Sequence, residues 1–237
     1  MLELDKYSLK ARLYPAFIVL LPAFVVSLYY ITDFEKYYHY ATALVSVGLF
    51  TYLLAQLGRD KGKIKESKLF EFWGGKPTTL ILRHSDNTID KVTKRRYHKL
   101  LNDKIEGINI PTPDEEQNDN KFADQVYESC TKFLISKTRD TKKFPLIFKE
   151  NISYGFRRNL WGMKSWALVI ISILIIIHFY FITNGFKTKI TLQNKDIFLF
   201  IFFGLVLLFW FFIVTKNWIK LTAYAYAERL IESVNEL

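Results

Sequence analysis

Long apolar runs alternate with long polar stretches along this chain, and that segregation predicts its elements. Four runs, 14–31, 38–57, 166–183 and 197–215, each approach the roughly 20 apolar residues a helix needs to cross about 30 Å of hydrocarbon. No Asp, Glu, Lys or Arg interrupts their middles, so they read as membrane spans arranged in two hairpins. The first run follows Lys6, Lys10 and Arg12, as a secretory signal would. It carries Pro15 and Pro22, however, and ends in Ser27-Leu28-Tyr29-Tyr30-Ile31 without a small-residue cleavage site, so it is expected to be retained.

The polar stretch 58–165 divides at its turn signals. Lysines recur every second or third residue over 58–72, as in a helix extension lying along anionic headgroups. Trp73-Gly74-Gly75-Lys76-Pro77 breaks that helix, and Thr78-Thr79-Leu80-Ile81-Leu82-Arg83 reads as a β-strand. A helix is predicted over 86–103 with Thr88 as its N-cap, followed by an exposed acidic loop over 106–120. An amphipathic helix over 121–137 turns Phe122, Val126, Tyr127, Cys130, Phe133 and Leu134 inward. Phe144-Pro145-Leu146-Ile147-Phe148 reads as a short buried strand or loop. Residues 151–164 form an interfacial elbow, with Arg157 and Arg158 toward headgroups and Gly155 and Gly162 as hinge positions. The expected fold is an integral membrane α-helical protein: four transmembrane helices in two hairpins, with a small α+β basic domain inserted between them. Its parts are a leader 1–13, hairpin 14–57, domain 58–165, hairpin 166–215 and a tail helix 216–237.

Charge orients this arrangement. There are 33 Lys+Arg against 23 Asp+Glu, and nearly all of the net +10 falls within 58–165. The positive-inside rule then puts that domain and both termini in the cytoplasm. One Cys excludes an internal disulfide framework, and Cys130 reads as a small core residue. Composition and patterning together exclude a small secreted fold, a disordered or collagen-like chain and a conventional soluble enzyme.

Candidate chemistry concentrates on the helix 86–103. Lys91, Lys94, Arg95 and His98 fall at i, i+3, i+4 and i+7 and form one basic stripe, joined by Arg96, Lys99 and Arg83. One reading is a solvated or membrane-facing surface. The other is a docking face for nucleic acid or a nucleotide-derived polyanion, with Tyr97 as a stacking aromatic. His84, Asp86, Asp90 and His98 lack compact metal-ligand spacing, and Gly74-Gly75 lacks the spacing and the Lys-Ser/Thr of a phosphate loop. No hydrolase, metalloprotease or kinase signature occurs, so neither a cofactor nor a catalytic residue is expected.

Among the polar residues inside the spans are Ser27, Thr42, Ser46, Ser172 and His178. Thr42 and Ser46 lie on a small-residue face suited to close helix packing, and His178 is either a titratable pore residue or a packing histidine. The lack of charged midplane groups argues against a coupled carrier. Four helices are too few for a wide pore, so a channel requires several copies around an apolar, dewetting constriction. Two functions follow: an oligomeric membrane effector whose basic domain binds a polyanion and biases a pore, or a non-conducting scaffold that recruits a protein partner or anionic lipid.

Two spans, a basic domain and then Tyr154-Gly155-Phe156-Arg157-Arg158-Asn159-Leu160 leading into two more spans resemble the small membrane effectors of bacterial antiphage defence. Among these the chain is most similar to the channel subunit of the Hailong system. The resemblance spans the whole chain as architecture and implies a homo-oligomeric ion channel of the bacterial inner membrane, taken as a tetramer. It further implies a channel held closed by short single-stranded DNA from a partner nucleotidyltransferase and opened on infection. Arg83, Lys91, Lys94, Arg95, Arg96 and Lys99 are then the expected DNA contacts, an assignment made from charge.

Overall fold

A computed structural model describes residues 5–30, 37–186, 190 and 192–237, leaving the side chains of 37–47 aside. Every regular element among these residues is helical. In chain order they are α1 (Lys6–Tyr30), α2 (Tyr37–Trp73), α3 (Pro77–Leu82), α4 (Lys91–Lys104), α5 (Pro113–Asn118) and α6 (Asn120–Lys137). They continue with α7 (Pro145–Gly162), α8 (Lys164–Ile182), α9 (Asn194–Ile213) and α10 (Lys216–Glu232). The chain divides into two compact units, a span unit of residues 1–65 and 155–218 and a polar unit of residues 66–154 and 219–237.

In the span unit α1, α8 and α9 are long and apolar enough to cross a membrane. Small residues let these helices approach closely: Ala11, Ala16 and Ala167 are fully buried beside Val19, Ile171, Phe203 and Trp210. Large apolar side chains such as Ile176, Phe198, Leu205 and Phe212 face outward, as lipid-facing positions do. The run 38–57 lies on α2, and its first ten residues fall where side chains are outside the described residues, Thr42 and Ser46 among them. Three glycines seat α2 against α7 and α8. A Cβ on Gly162 would stand 2.7 Å from the Gly62 nitrogen and 2.8 Å from its Cα, and one on Gly58 would collide with Met163.

The polar unit packs around Ile81, Leu82, Tyr97, Leu101, Tyr127, Cys130, Leu134, Phe144, Leu230 and Ile231. Its composition corrects the α+β expectation, since the run read as a strand is α3. Gly74 and Gly75 end α2 at φ values of 85° and 150°, and Pro77 then opens a helix at a position that needs no N–H donor. Thr79, Leu80, Ile81 and Leu82 are all buried, and a short run buried on every side carries no periodicity to tell strand from helix. Phe144-Pro145-Leu146-Ile147-Phe148, read as a strand or loop, is likewise the entry to α7.

Two helix starts also differ from expectation. Asp90, not Thr88, caps α4, its carboxylate accepting from Val92 N at 3.1 Å and Thr93 N at 2.9 Å. Within the expected acidic loop, Thr112 and Glu115 form a capping box that starts α5 just after Pro111. The elbow is helical as read, but the outward orientation of Arg158 is corrected. Residues 151–162 belong to the unbroken α7, where Arg158 is buried and Arg157 donates to the Trp218 carbonyl at 2.6 Å with its guanidinium over that ring. Gly155 makes room for Tyr7 and Ala11, and Gly162 for Gly62, so both serve close packing inside the span unit.

Candidate anion-binding cleft

Helix α4 and the segment 110–113 enclose a cleft of about 650 Å³ in the polar unit. Lys91, Arg95 and Lys99 stand along the α4 side, with Asn102 and Asp103 at its end; Ile110, Pro111 and Pro113 form the opposite wall. Three turns of one helix bring the cations together, as the i, i+4, i+8 spacing requires. All three are exposed, and no ion pair to a described residue engages them.

The wall is fixed by a carboxylate that patterning had left in an exposed loop. Glu116 of α5 is only 5% exposed and accepts from the Tyr127 hydroxyl at 2.6 Å and the His84 and Ser85 amides at 2.9 and 3.4 Å. Burial alone would raise its pKa, but these donors outweigh burial and hold the carboxyl below its usual value. Burial and Glu116 together keep the Tyr127 hydroxyl protonated. His84 Nε2 meets the Pro111 carbonyl at 2.8 Å and His98 Nε2 meets the Leu82 carbonyl at 2.8 Å, so the two imidazoles, 4.8 Å apart edge to face, floor the cleft. Burial pushes His98 down to about 4, so at neutral pH it adds no charge to the stripe.

The six basic residues singled out by charge therefore separate. Lys91, Arg95 and Lys99 share the cleft as exposed cations, Lys94 lines it as a buried one, and Arg96 lies outside its lining with its guanidinium over the Tyr97 ring. Arg83 is engaged inside the unit, bidentate to Asp124 at 2.8 and 2.5 Å. Lys94 is only 4% exposed and donates to the Arg83 carbonyl at 2.7 Å and to that of Asp86, tying the α3 end to the α4 start. Burial lowers its pKa against the pull of Asp86 and Glu116. Both are structural cations. Seen along the sequence alone they share a stripe with the others; the carbonyls that consume Lys94 come from a turn whose path no periodicity gives.

Cys130 is fully buried, with its thiol pushed up to about 11 by burial, which suits a core residue. Among the described residues no group of three His, Cys, Asp or Glu is placed to hold a metal ion. In the spans, Ser172 turns back to the Leu168 carbonyl at 2.9 Å, and His178 is fully buried beside Tyr30 and Asp196. Asp196, the residue just before the apolar run 197–215, is buried in the first turn of α9. No family model, curated protein or solved structure matches the chain.

Proposed function

We propose that this chain is a membrane effector whose polar unit binds a polyanion, a short single-stranded nucleic acid or a nucleotide, in the cleft between α4 and residues 110–113. The observation that carries the reading is the set Lys91, Arg95 and Lys99: three exposed cations with no ion-pair partner among the described residues, opposite a mostly apolar wall. Cations neutralise phosphates, and an apolar wall accepts a base or sugar. On this reading residues 38–57 supply a fourth span, and the polar unit and both termini lie in the cytoplasm of a bacterium with the spans in its inner membrane. Copies of the chain assemble, as a tetramer, around an apolar ion path that ligand binding biases. The architecture supports an antiphage role like that of the effectors it resembles, with a partner nucleotidyltransferase supplying the ligand. Nothing in the cleft points to catalysis.

The test is binding of a labelled short single-stranded DNA to the full-length protein in nanodiscs across a salt series. Three cation contacts to a single strand give a log–log salt slope of about −2. Charge reversal at Lys91, Arg95 and Lys99 together is expected to abolish binding while membrane insertion persists. Unchanged affinity in that variant overturns the assignment.

A further inference from the structure

A second buried polar group lies in the span unit, unrelated to the cleft. His178 of α8 is 0% exposed, with the Tyr30 hydroxyl 2.7 Å from Nδ1. Its Nε2 is buried without a hydrogen-bond partner, yet Asp196 Oδ1 is 3.8 Å away. Asp196, 4% exposed in the first turn of α9, accepts from the Tyr29 hydroxyl and from the Gln193 amide at 2.7 Å. Phe200 and Phe203 of α9 close the other side of the imidazole. Three helices thus meet through one polar cluster, at the end where α1 runs out, α8 finishes and α9 begins.

The charge balance of this cluster is incomplete as it stands. A carboxylate withdrawn from water is costly unless a cation or several donors compensate it. Among the described residues Asp196 has two hydrogen-bond donors, and both are neutral. Among the described residues the titratable or charged groups around His178 are Tyr29 and Tyr30 from α1 and Asp196 and Lys195 from α9. The Lys195 ammonium lies over the Tyr29 ring, 5.3 Å from its centroid. Within 4 Å of the carboxylate, the group able to become a cation is therefore His178. A neutral imidazole satisfies Nδ1 through Tyr30 and leaves Nε2 without a partner. An imidazolium has two N–H donors and two acceptors waiting, the Tyr30 oxygen and Asp196.

We propose that His178 and Asp196 form a proton-binding site that couples α8 to α9. The proton comes from water and adds to the free imidazole nitrogen, and the new N–H···O⁻ contact draws the two helix ends together. Its release as pH rises leaves Asp196, among the described residues, with neutral donors alone and loosens this end of the bundle. The site does not depend on the polyanion reading, because it lies wholly in the span unit and requires no ligand.

The experiment is ¹⁵N NMR of histidine-labelled full-length protein in nanodiscs over a pH series, with His178 assigned through His178→Gln. His178 is expected to titrate to an imidazolium, and Asp196→Asn to lower the midpoint by at least about one pH unit, a tenfold loss of proton affinity. Should His178→Gln fail to fold, Tyr30→Phe, which removes the Nδ1 partner alone, supplies the assignment. An imidazole that stays neutral throughout the folded range, or a midpoint unmoved by Asp196→Asn, overturns the proposal.

Discussion

Replacing Glu116 by alanine removes the acceptor that holds the cleft wall to the rest of the polar unit. The Tyr127 hydroxyl at 2.6 Å and the His84 amide at 2.9 Å lose their only short partner there, and the Ser85 amide at 3.4 Å loses a weaker one. Tyr127 is fully buried, so water has no route to replace the carboxylate without opening α5 from α6. A buried donor left unpaired costs about 1–3 kcal/mol; the Tyr127 hydroxyl is such a donor, whereas the amides of half-buried His84 and exposed Ser85 regain part of their bonding from water, so the loss is about 2–4 kcal/mol. That is a large share of the roughly 5–15 kcal/mol that stabilises a typical domain. Glu116→Gln keeps a carbonyl acceptor, and its loss is expected at about 1–2 kcal/mol, from the missing charge assistance. Hydrogen–deuterium exchange read by mass spectrometry localises the effect: peptides covering 112–127 should exchange faster by the corresponding factor, while those of α8 and α9 do not change. Alanine and wild type within about 1 kcal/mol of each other would refute the reasoning that Glu116 anchors the wall.

Three further outcomes follow from the same geometry. His98 has a folded pKa of about 4 against the usual 6.5, so the unfolded chain binds more protons between those values. Stability present above pH 6.5 is therefore lost as pH falls toward 4, by about 3 kcal/mol, and His98→Gln should flatten that window in an acid unfolding series. Gly162→Ala places a methyl against the Gly62 backbone and should cost about 1–3 kcal/mol in thermal unfolding, whereas Gly204→Ala, with nothing within 4 Å of the new carbon, should be neutral or stabilising. Lys94→Met should destabilise the polar unit by about 1–3 kcal/mol, through the lost ties to Arg83 and Asp86, and leave oligonucleotide affinity within about threefold when measured on the folded fraction.

The three helices long and apolar enough to cross a membrane were legible because a long, mostly apolar run carries its own explanation, and α1, α8 and α9 lie where those runs lie. The amphipathic pattern of α6 likewise marked Tyr127, Cys130 and Leu134 as core, but Phe122, read as inward from the first turn of that helix, is exposed. Short elements were not legible. Thr78-Thr79-Leu80-Ile81-Leu82 is β-rich in composition, and with Thr79 to Leu82 all buried it shows no periodicity that would mark it as the helix α3. Glu116 sits among acidic neighbours that are exposed, and nothing local separates it from Glu115, whose carboxylate serves the capping box. For the cleft, periodicity gave the cations of α4, but the split between Lys94 and its neighbours depends on carbonyls at Arg83 and Asp86. Asp196 was missed for a similar reason. One residue before an apolar run reads as a loop, whereas the capping box with Gln193 draws it into the helix and beside His178.

Planar-bilayer current from the purified protein, with and without short single-stranded DNA on the side of the polar unit, tests the central claim most directly. The account predicts unitary currents whose open probability responds to the oligonucleotide, and a loss of that response when Lys91, Arg95 and Lys99 are reversed in charge. A silent bilayer from protein shown to be inserted and oligomeric, or currents indifferent to DNA in wild type, would contradict it.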